Sequence, residues 1–204
     1  MKYVLLAGIL IAAYLAGAIP VSNIVARRVR RVDLRQVGSG ASSPSNLFQQ
    51  AGLWPTVAAG LFEVGKGAVG PALATGQPLW AVSLAGFLAV AGHNWSPFLK
   101  GGGGRGLSTA TGALAIVAWP GAVLLCAGLA GGAAARHVYI GMSVALAGLI
   151  PLLYLVDGTG QAIAGAVVVL PIGAKTVVLM YRRHRDAASE PAAGEPAAGE
   201  AADS

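Results

Sequence analysis

The stretch GHNWSPFLKGGGGRGLST, Gly92–Thr109, has the residue types of a loop that binds anions. Glycine lets a backbone approach a ligand closely, and successive N–H groups in such a turn can surround an anion. A helix expected to begin near Leu107 would point its free N–H groups at this loop, where Arg105 adds a planar cation suited to phosphate oxygens. The stretch does not match the Walker A sequence. These residues alone leave phosphate binding and a flexible interhelical hinge equally open.

Two other polar segments contain groups that can bind phosphate or a glycerol-like ligand. In GSGASSPSN, Gly38–Asn46, the hydroxyl of Ser39 and the amide of Asn46 can form such hydrogen bonds, although a plain loop is the simpler interpretation of this segment alone. In YRRHRD, Tyr181–Asp186, His184 lies in a basic run. Such a run, taken by itself, is typical of the solvated end of a membrane helix.

Three ionisable residues lie inside or at the ends of apolar segments. His93 is expected near a helix end, where its imidazole would act as a donor or base, or would anchor the helix. Glu63 and Lys66 are three residues apart, on one face of a helix. Because charges at membrane depth are costly, we expect these two to pair in the protein interior. A structural ion pair is the main interpretation, and a Lys66 that faces substrate is the alternative.

The composition indicates that membrane helices position these loops. Of 204 residues, 55% are hydrophobic and only 11% are charged, with a mean hydropathy of +0.68. A soluble domain carries about 25% charged residues. We therefore predict an all-α, polytopic integral membrane protein. Its seven apolar segments comprise residues 3–26, 53–75, 79–98, 107–118, 121–135, 137–156 and 161–181.

The basic residues predict the orientation of these segments. They cluster in alternate loops, which by the positive-inside rule should be cytoplasmic. The residues are Arg27, Arg28, Arg30, Arg31, Arg35, Lys100, Arg105, Arg136, Arg182, Arg183 and Arg185. If the turn at Trp119-Pro120 is external, the chain has seven helices, an external N-terminus and a cytoplasmic C-terminus. Five helices, one of them long and broken at this turn, are the alternative. The net charge of +6 then indicates topology and contact with anionic lipids, not nucleic acid.

The remaining features limit the chemistry. Residues 187–204 form a Glu-, Pro-, Ala- and Gly-rich tail that we predict to be disordered, after a single membrane domain over residues 1–186. Cys126 is the single cysteine, so no intramolecular disulfide forms. The three histidines are scattered and show no metal-ligand spacing. We expect no metal and no cofactor.

The chain resembles the PlsY family of membrane glycerol-3-phosphate acyltransferases. The family motifs are approximately GSGNxGATNxxR, GHxxPxxxxFKGGKGVAT and YRHRxNI, and here they look like GSGASSPSNLFQQ, GHNWSPFLKGGGGRGLST and YRRHRDAA. The segment LFEVGKG is similar to the family's LxDxxKG. The resemblance implies acyl transfer from acyl phosphate to glycerol 3-phosphate, giving lysophosphatidic acid in a bacterial plasma membrane, without an acyl-enzyme. It also implies that the site residues are Ser39, Asn46, His93, Gly103, Gly104, Arg105, Gly106 and His184.

Several positions depart from the family pattern. Ala41 and Gln49 replace an asparagine and an arginine of the first motif, and Gly102 replaces a lysine of the second. Ala187 stands where the third motif usually has an asparagine. A site that has lost two cations should bind phosphate less tightly, by a few kcal/mol if each charge-assisted bond contributes about 1.5–3 kcal/mol. The alternative function is therefore a non-catalytic or repurposed homologue that binds an anionic lipid or acyl phosphate. A small transporter is a third option, which the concentration of polar groups at one face disfavours.

Overall fold

A computed structural model of the protein describes residues 1–189, and its regular secondary structure there is helical. A 3₁₀ turn covers Pro97–Leu99, and one isolated β-bridge joins Ser96 to Gly102. The helices are α1 (Lys2–Ala18), α2 (Val21–Arg30), α3 (Pro44–Ala51), α4 (Leu53–Leu73), α5 (Leu79–Asn94), α6 (Leu107–Val117), α7 (Trp119–Ala134) and α8 (Val138–Ser189).

All seven apolar segments are helical, which confirms that part of the prediction. The first segment is divided between α1 and α2 around Pro20, whose missing N–H interrupts the helical hydrogen bonds. The last two segments both belong to α8, which bends at Gly158 where φ is 79° and ψ is −172°. Extended backbone at Ala118 separates α6 from α7. The orientation across the membrane stays a prediction.

Three boundaries differ from those that the sequence predicts. The third apolar segment ends its helix at Asn94 and not near residue 98, because the chain turns into the 3₁₀ segment. The polar loop that follows α2 contains the short helix α3, which begins after Ser43 with Pro44 in its first turn. The predicted tail begins at residue 187, but α8 continues through Ser189, and the rest of the tail lies outside the described residues.

The surface and the helix lengths agree with a membrane location. By length and composition, the helical stretches Lys2–Arg30 and Val138–Arg182 are long and apolar enough to cross a bilayer. The helices α5, α6 and α7 are apolar but shorter. Many large apolar side chains face outward, among them Trp54 and Leu155, which are about four-fifths exposed (79% and 80%). In water such a surface would be costly, whereas in lipid it is the expected outer face.

Glycine allows α4 and α6 to approach until their backbones touch. A Cβ atom on Gly67 would overlap the carbonyl of Thr109, and one on Gly112 would overlap the carbonyl of Val64. Small residues at such crossings are the usual means of close packing between membrane helices. The close approach brings the middle of α4, including Glu63, against the first turns of α6.

Two apolar clusters hold the helices and the loop after α2 together. The larger cluster joins α5, α6, α7 and α8, and includes Leu114, Leu149 and Val168, all fully buried. A smaller cluster packs Leu34 and Leu47 between α2, α3 and α4. The loop after α2 is therefore held on the bundle by its own apolar contacts. These clusters position the loops that contain the candidate site.

Candidate active site

A buried carboxylate on α4 is the centre of the polar network. Glu63 is fully buried, and its Oε2 atom lies 2.7 Å from Lys66 Nζ and 2.9 Å from His93 Nδ1. Its Oε1 atom accepts hydrogen bonds from the backbone N–H and the hydroxyl of Ser22, at 3.2 and 3.0 Å. Thr109 Oγ1 is 3.5 Å from Oε2. Helices α2, α4, α5 and α6 thus meet around one negative charge.

His93 connects this network to the glycine loop, residues 101–106. Because Nδ1 bonds to Glu63, the other ring nitrogen, Nε2, is directed elsewhere. A Cβ atom on Gly104 would overlap Nε2, so the ring edge lies directly against the backbone of Gly104. A carboxylate that accepts a hydrogen bond from Nδ1 fixes the tautomer and the orientation of an imidazole ring. The arrangement is that of an oriented imidazole whose free edge faces the glycine loop.

The glycine loop is fixed by contacts with the end of α5 and with the first polar loop, residues 31–43. Ser96 donates its N–H to the Gly102 carbonyl at 2.9 Å, and Ser42 donates its N–H to the Gly103 carbonyl at 3.3 Å. Gly106 then caps the N-terminus of α6 with a φ of 81°. This left-handed conformation favours glycine. The N-terminus of α6 therefore directs its free N–H groups towards the same loop.

The first polar loop is organised by Asn46, which lies in the first turn of α3. Its amide nitrogen donates to the carbonyls of Leu34, Val37 and Ala41, each at 3.0 Å. The amide oxygen of Asn46 is buried and has no hydrogen-bond partner among the described residues. The buried hydroxyl of Ser42 also has none. Two unpaired buried polar atoms therefore lie in or beside the first polar loop, which contacts the glycine loop.

Charged side chains stabilise the start of the first polar loop. Asp33 Oδ2 lies 2.6 Å from a guanidinium nitrogen of Arg35 and 2.6 Å from one of Arg27. The Arg35 guanidinium holds the pKa of Asp33 well below its usual range, with a smaller contribution from Arg27. The same contact raises the pKa of Arg35. Both arginines are thus engaged with a carboxylate and do not point freely into the site.

The start of α8 contacts the glycine loop, and its second half contacts the end of α5 next to that loop. The Arg105 guanidinium carbon is 4.9 Å from the centre of the Tyr139 ring, which is a cation–π contact. Lys175 donates to the Asn94 carbonyl at 2.7 Å and lies 5.4 Å from the centre of the Trp95 ring. His184 is exposed on the last turns of α8. The loops that precede α3, α6 and α8 therefore meet at one end of the bundle.

The predicted site residues divide into two groups. The structure brings His93, Gly103, Gly104 and Gly106 together, with Arg105 beside them on Tyr139. Ser39 and His184 are exposed, while Asn46 binds backbone carbonyls. Lys66 is buried and bonds to Glu63 and to the Ile19 carbonyl, the geometry of the structural ion pair. Sequence reasoning missed Ser22 and Thr109, which contact Glu63, and Lys175, which bonds to the Asn94 carbonyl.

Comparison with known proteins identifies the family. The sequence model of the glycerol-3-phosphate acyltransferase family matches residues 7–194. The chain belongs to this family. A glycerol-3-phosphate acyltransferase from Synechococcus sp. (strain CC9902) is 37% identical over 176 residues, which are 84% of each protein. Glycerol-3-phosphate acyltransferase 5 from Dehalococcoides mccartyi is 42% identical over 122 residues, 59% of this chain but only about half (52%) of that protein.

The fold is similar to that of PlsY, an integral membrane glycerol 3-phosphate acyltransferase with solved crystal structures. The glycerol 3-phosphate form superimposes with a TM-score of 0.72 at 22% identity, covering 91% of this chain and 99% of that one. The lysophosphatidic acid form gives a TM-score of 0.74 at 20% identity, over 89% and 92% of the two chains. The family member described here thus shares the all-helical architecture of an integral membrane protein.

Proposed function

We propose that this protein is a membrane acyltransferase that moves an acyl group from acyl phosphate to glycerol 3-phosphate, giving lysophosphatidic acid and inorganic phosphate. One observation carries the proposal. In a member of this family, the Glu63–His93 pair presents a ring nitrogen to the glycine loop, where Gly104 leaves room for it. In the proposal, Nε2 of His93 is the proton acceptor and the backbone of the glycine loop binds phosphate.

In the proposed reaction, the 1-hydroxyl of glycerol 3-phosphate attacks the acyl carbonyl carbon. A new ester C–O bond forms as the bond between the acyl carbon and the phosphate oxygen breaks. Nε2 of His93 accepts the hydroxyl proton and passes it to the departing phosphate, so no acyl-enzyme and no external base are needed. Glu63 acts through His93, because it stabilises the imidazolium that exists during the transfer.

The phosphate groups would be held by the glycine loop. The N–H groups around Gly103, Gly104 and Gly106 and the N-terminus of α6 supply the donors. Arg105 would leave the face of Tyr139 to form a bidentate contact with phosphate. In the same proposal, Ser39, Asn46 and His184 position the acceptor, and Lys66 compensates the charge of Glu63. Alignment of two phosphate-bearing substrates, not a protein nucleophile, supplies the rate enhancement.

The test is turnover by the purified protein in detergent. Acyl phosphate and glycerol 3-phosphate are added together, and phosphate release and lysophosphatidic acid are both measured. His93→Gln should lower kcat by about 10²–10⁴-fold, the usual contribution of a general base. Ile24→Val, an exposed position on α2, is the control for handling. Wild-type turnover no faster than that of Arg105→Ala would refute the proposed reaction, and acyl phosphate binding without turnover would favour a non-catalytic homologue.

We also propose that the polar loops face the cytoplasm of a bacterial cell, with the N-terminus outside. The basic residues of these loops support this orientation. Single cysteines are introduced at Gln36 and at Thr75 after Cys126→Ala, and an impermeant maleimide is added to intact cells. The cysteine at Thr75 should be labelled because its turn is external, and the cysteine at Gln36 should not. Labelling at Gln36 but not at Thr75 would reverse the proposed orientation.

A further inference from the structure

Lys175 is a buried ammonium group that the proposed reaction leaves unused. It lies in the second half of α8, and its side chain is only 7% exposed. Of its three N–H donors, one bonds to the Asn94 carbonyl at 2.7 Å. The ammonium also contacts the face of the Trp95 ring. Two donors are therefore available to another acceptor.

No carboxylate in the described part of the chain forms an ion pair with Lys175. Lys66 provides the comparison, because it is equally buried at 7% but lies 2.7 Å from the Glu63 carboxylate. A buried charge normally has a partner of opposite sign, since its removal from water is costly. Lys175 thus carries a buried positive charge that a carbonyl and an aromatic ring compensate only in part.

The position of Lys175 relates this charge to the glycine loop. Its ammonium bonds to the carbonyl of Asn94, and the backbone of Gly103 packs against the same carbonyl. The Lys175 ammonium and the backbone of Gly103 therefore both lie beside the Asn94 carbonyl oxygen. Arg182 follows two helical turns later on α8 and is exposed at the same end of the bundle.

We propose that Lys175 is a phosphate-binding cation of this site, and that it holds the phosphate group of a substrate on the glycine loop from the α8 side. This inference rests on the proposed function. Gly102 stands where the family motif has a lysine, so the loop has one cation fewer than the motif. In this proposal, Lys175 on α8 supplies a positive charge in place of that lysine. The ligand is a phosphate monoester or an acyl phosphate, and an anion close to Lys175 would complete its coordination.

Three variants separate the charge from the packing. Lys175→Gln keeps a donor for the Asn94 carbonyl but removes the charge, whereas Lys175→Arg keeps the charge. Lys100→Gln removes the same charge from an exposed position beside the loop and is the matched control. Dissociation constants are measured by calorimetry in detergent for glycerol 3-phosphate, inorganic phosphate and a non-hydrolysable acyl phosphonate. The thermal unfolding midpoint of each variant is recorded separately.

We expect Lys175→Gln to weaken binding of at least one of these ligands about 10- to 100-fold, the size of one charge-assisted contact. Lys175→Arg and Lys100→Gln should remain within about threefold of wild type, on the same scale. The ligand with the largest loss identifies which phosphate Lys175 contacts. Unchanged binding by Lys175→Gln, or an equal loss in Lys100→Gln, would overturn the inference. Because binding is measured without turnover, failure of the proposed reaction is a separate result.

A measurement on the wild-type protein covers the case in which Lys175→Gln does not fold. An amine-reactive reagent is applied with phosphate, with glycerol 3-phosphate or with glycerol, and modification of each lysine is followed by mass spectrometry. Phosphate and glycerol 3-phosphate should slow the modification of Lys175 relative to Lys100, and glycerol should not. Equal protection by glycerol, or no protection at all, would contradict a phosphate contact at Lys175.

Discussion

Replacing Glu63 with glutamine tests whether the buried network is held together by charge. The substitution keeps an oxygen that can accept from Ser22, but it removes the negative charge that faces Lys66 at 2.7 Å and His93 at 2.9 Å. Lys66 would then be a buried ammonium without a counter-charge. Removing one partner of a buried ion pair typically costs about 3–5 kcal/mol in the free energy of unfolding. We expect Glu63→Gln to fall in that range.

A double substitution gives the decisive comparison. Lys66→Met removes the uncompensated ammonium, so Glu63→Gln/Lys66→Met should be more stable than Glu63→Gln alone. Isolated groups that are far apart have additive effects, whereas coupled neighbours deviate from additivity by about 0.5–3 kcal/mol. The Lys66→Met single variant should also be destabilising, because it leaves the buried Glu63 carboxylate without its ammonium partner, although Ser22 and His93 still contact it.

The assay is reversible unfolding in mixed micelles, followed by tryptophan fluorescence as the denaturing detergent fraction rises. All variants are compared at one pH at which wild type is most stable. Strict additivity of the two single substitutions would refute the coupling between Glu63 and Lys66. If the double variant has a lower free energy of unfolding than Glu63→Gln, the unpaired Lys66 ammonium is not the cause of the destabilisation.

Two further predictions concern the loops. Gly104→Ala places a methyl group on Nε2 of His93, so kcat should fall at least about tenfold, a barrier increase of about 1.4 kcal/mol, in the phosphate-release assay. The control for adding a methyl group is Gly131→Ala, because a Cβ atom there meets open space. Gly101 is not suitable, since its φ of 79° would strain an alanine. The lowered pKa of Asp33 means that its contacts with Arg35 and Arg27 stabilise the fold above its usual pKa of 3.8, and that this contribution is lost as the pH falls below that value. The difference in unfolding free energy between wild type and Asp33→Asn should therefore be constant from pH 5 to 7 and shrink below pH 4, and a difference that grows on acidification would contradict this sign.

Local patterns predicted the helices and one side-chain contact. Apolar length predicted the seven segments. The break at Pro20 was not predicted, because residues 3–26 were expected to form one helix, although it follows from the backbone preference of proline. The spacing of Glu63 and Lys66 predicted their ion pair, since residues three apart share a helix face. These features depend on neighbours in the chain, which a sequence displays directly.

Contacts between different helices could not be predicted from spacing along the chain. His93 meets Glu63 only because α4 and α5 pack at one register, and nothing near His93 in the chain indicates that. Lys175 was not assigned to the site, yet it bonds to Asn94, 81 residues away. Asn46 was predicted to bind substrate, but which carbonyls surround its amide depends on how the whole first polar loop is folded. Such partners are set by tertiary packing, which spacing along one helix does not encode.

The length of α6 has a consequence for how the two substrates would meet. Eleven residues rise about 16 Å, roughly half of a hydrocarbon layer of about 30 Å. The exposed Trp119 adjoins one end of α6, and tryptophan commonly marks the lipid–water boundary. If α6 runs along the membrane normal from that boundary, its other end, at Gly106, lies near mid-depth. The glycine loop would then lie below the membrane surface, so a polar acceptor has to descend to the level at which a lipid-dissolved acyl chain already resides.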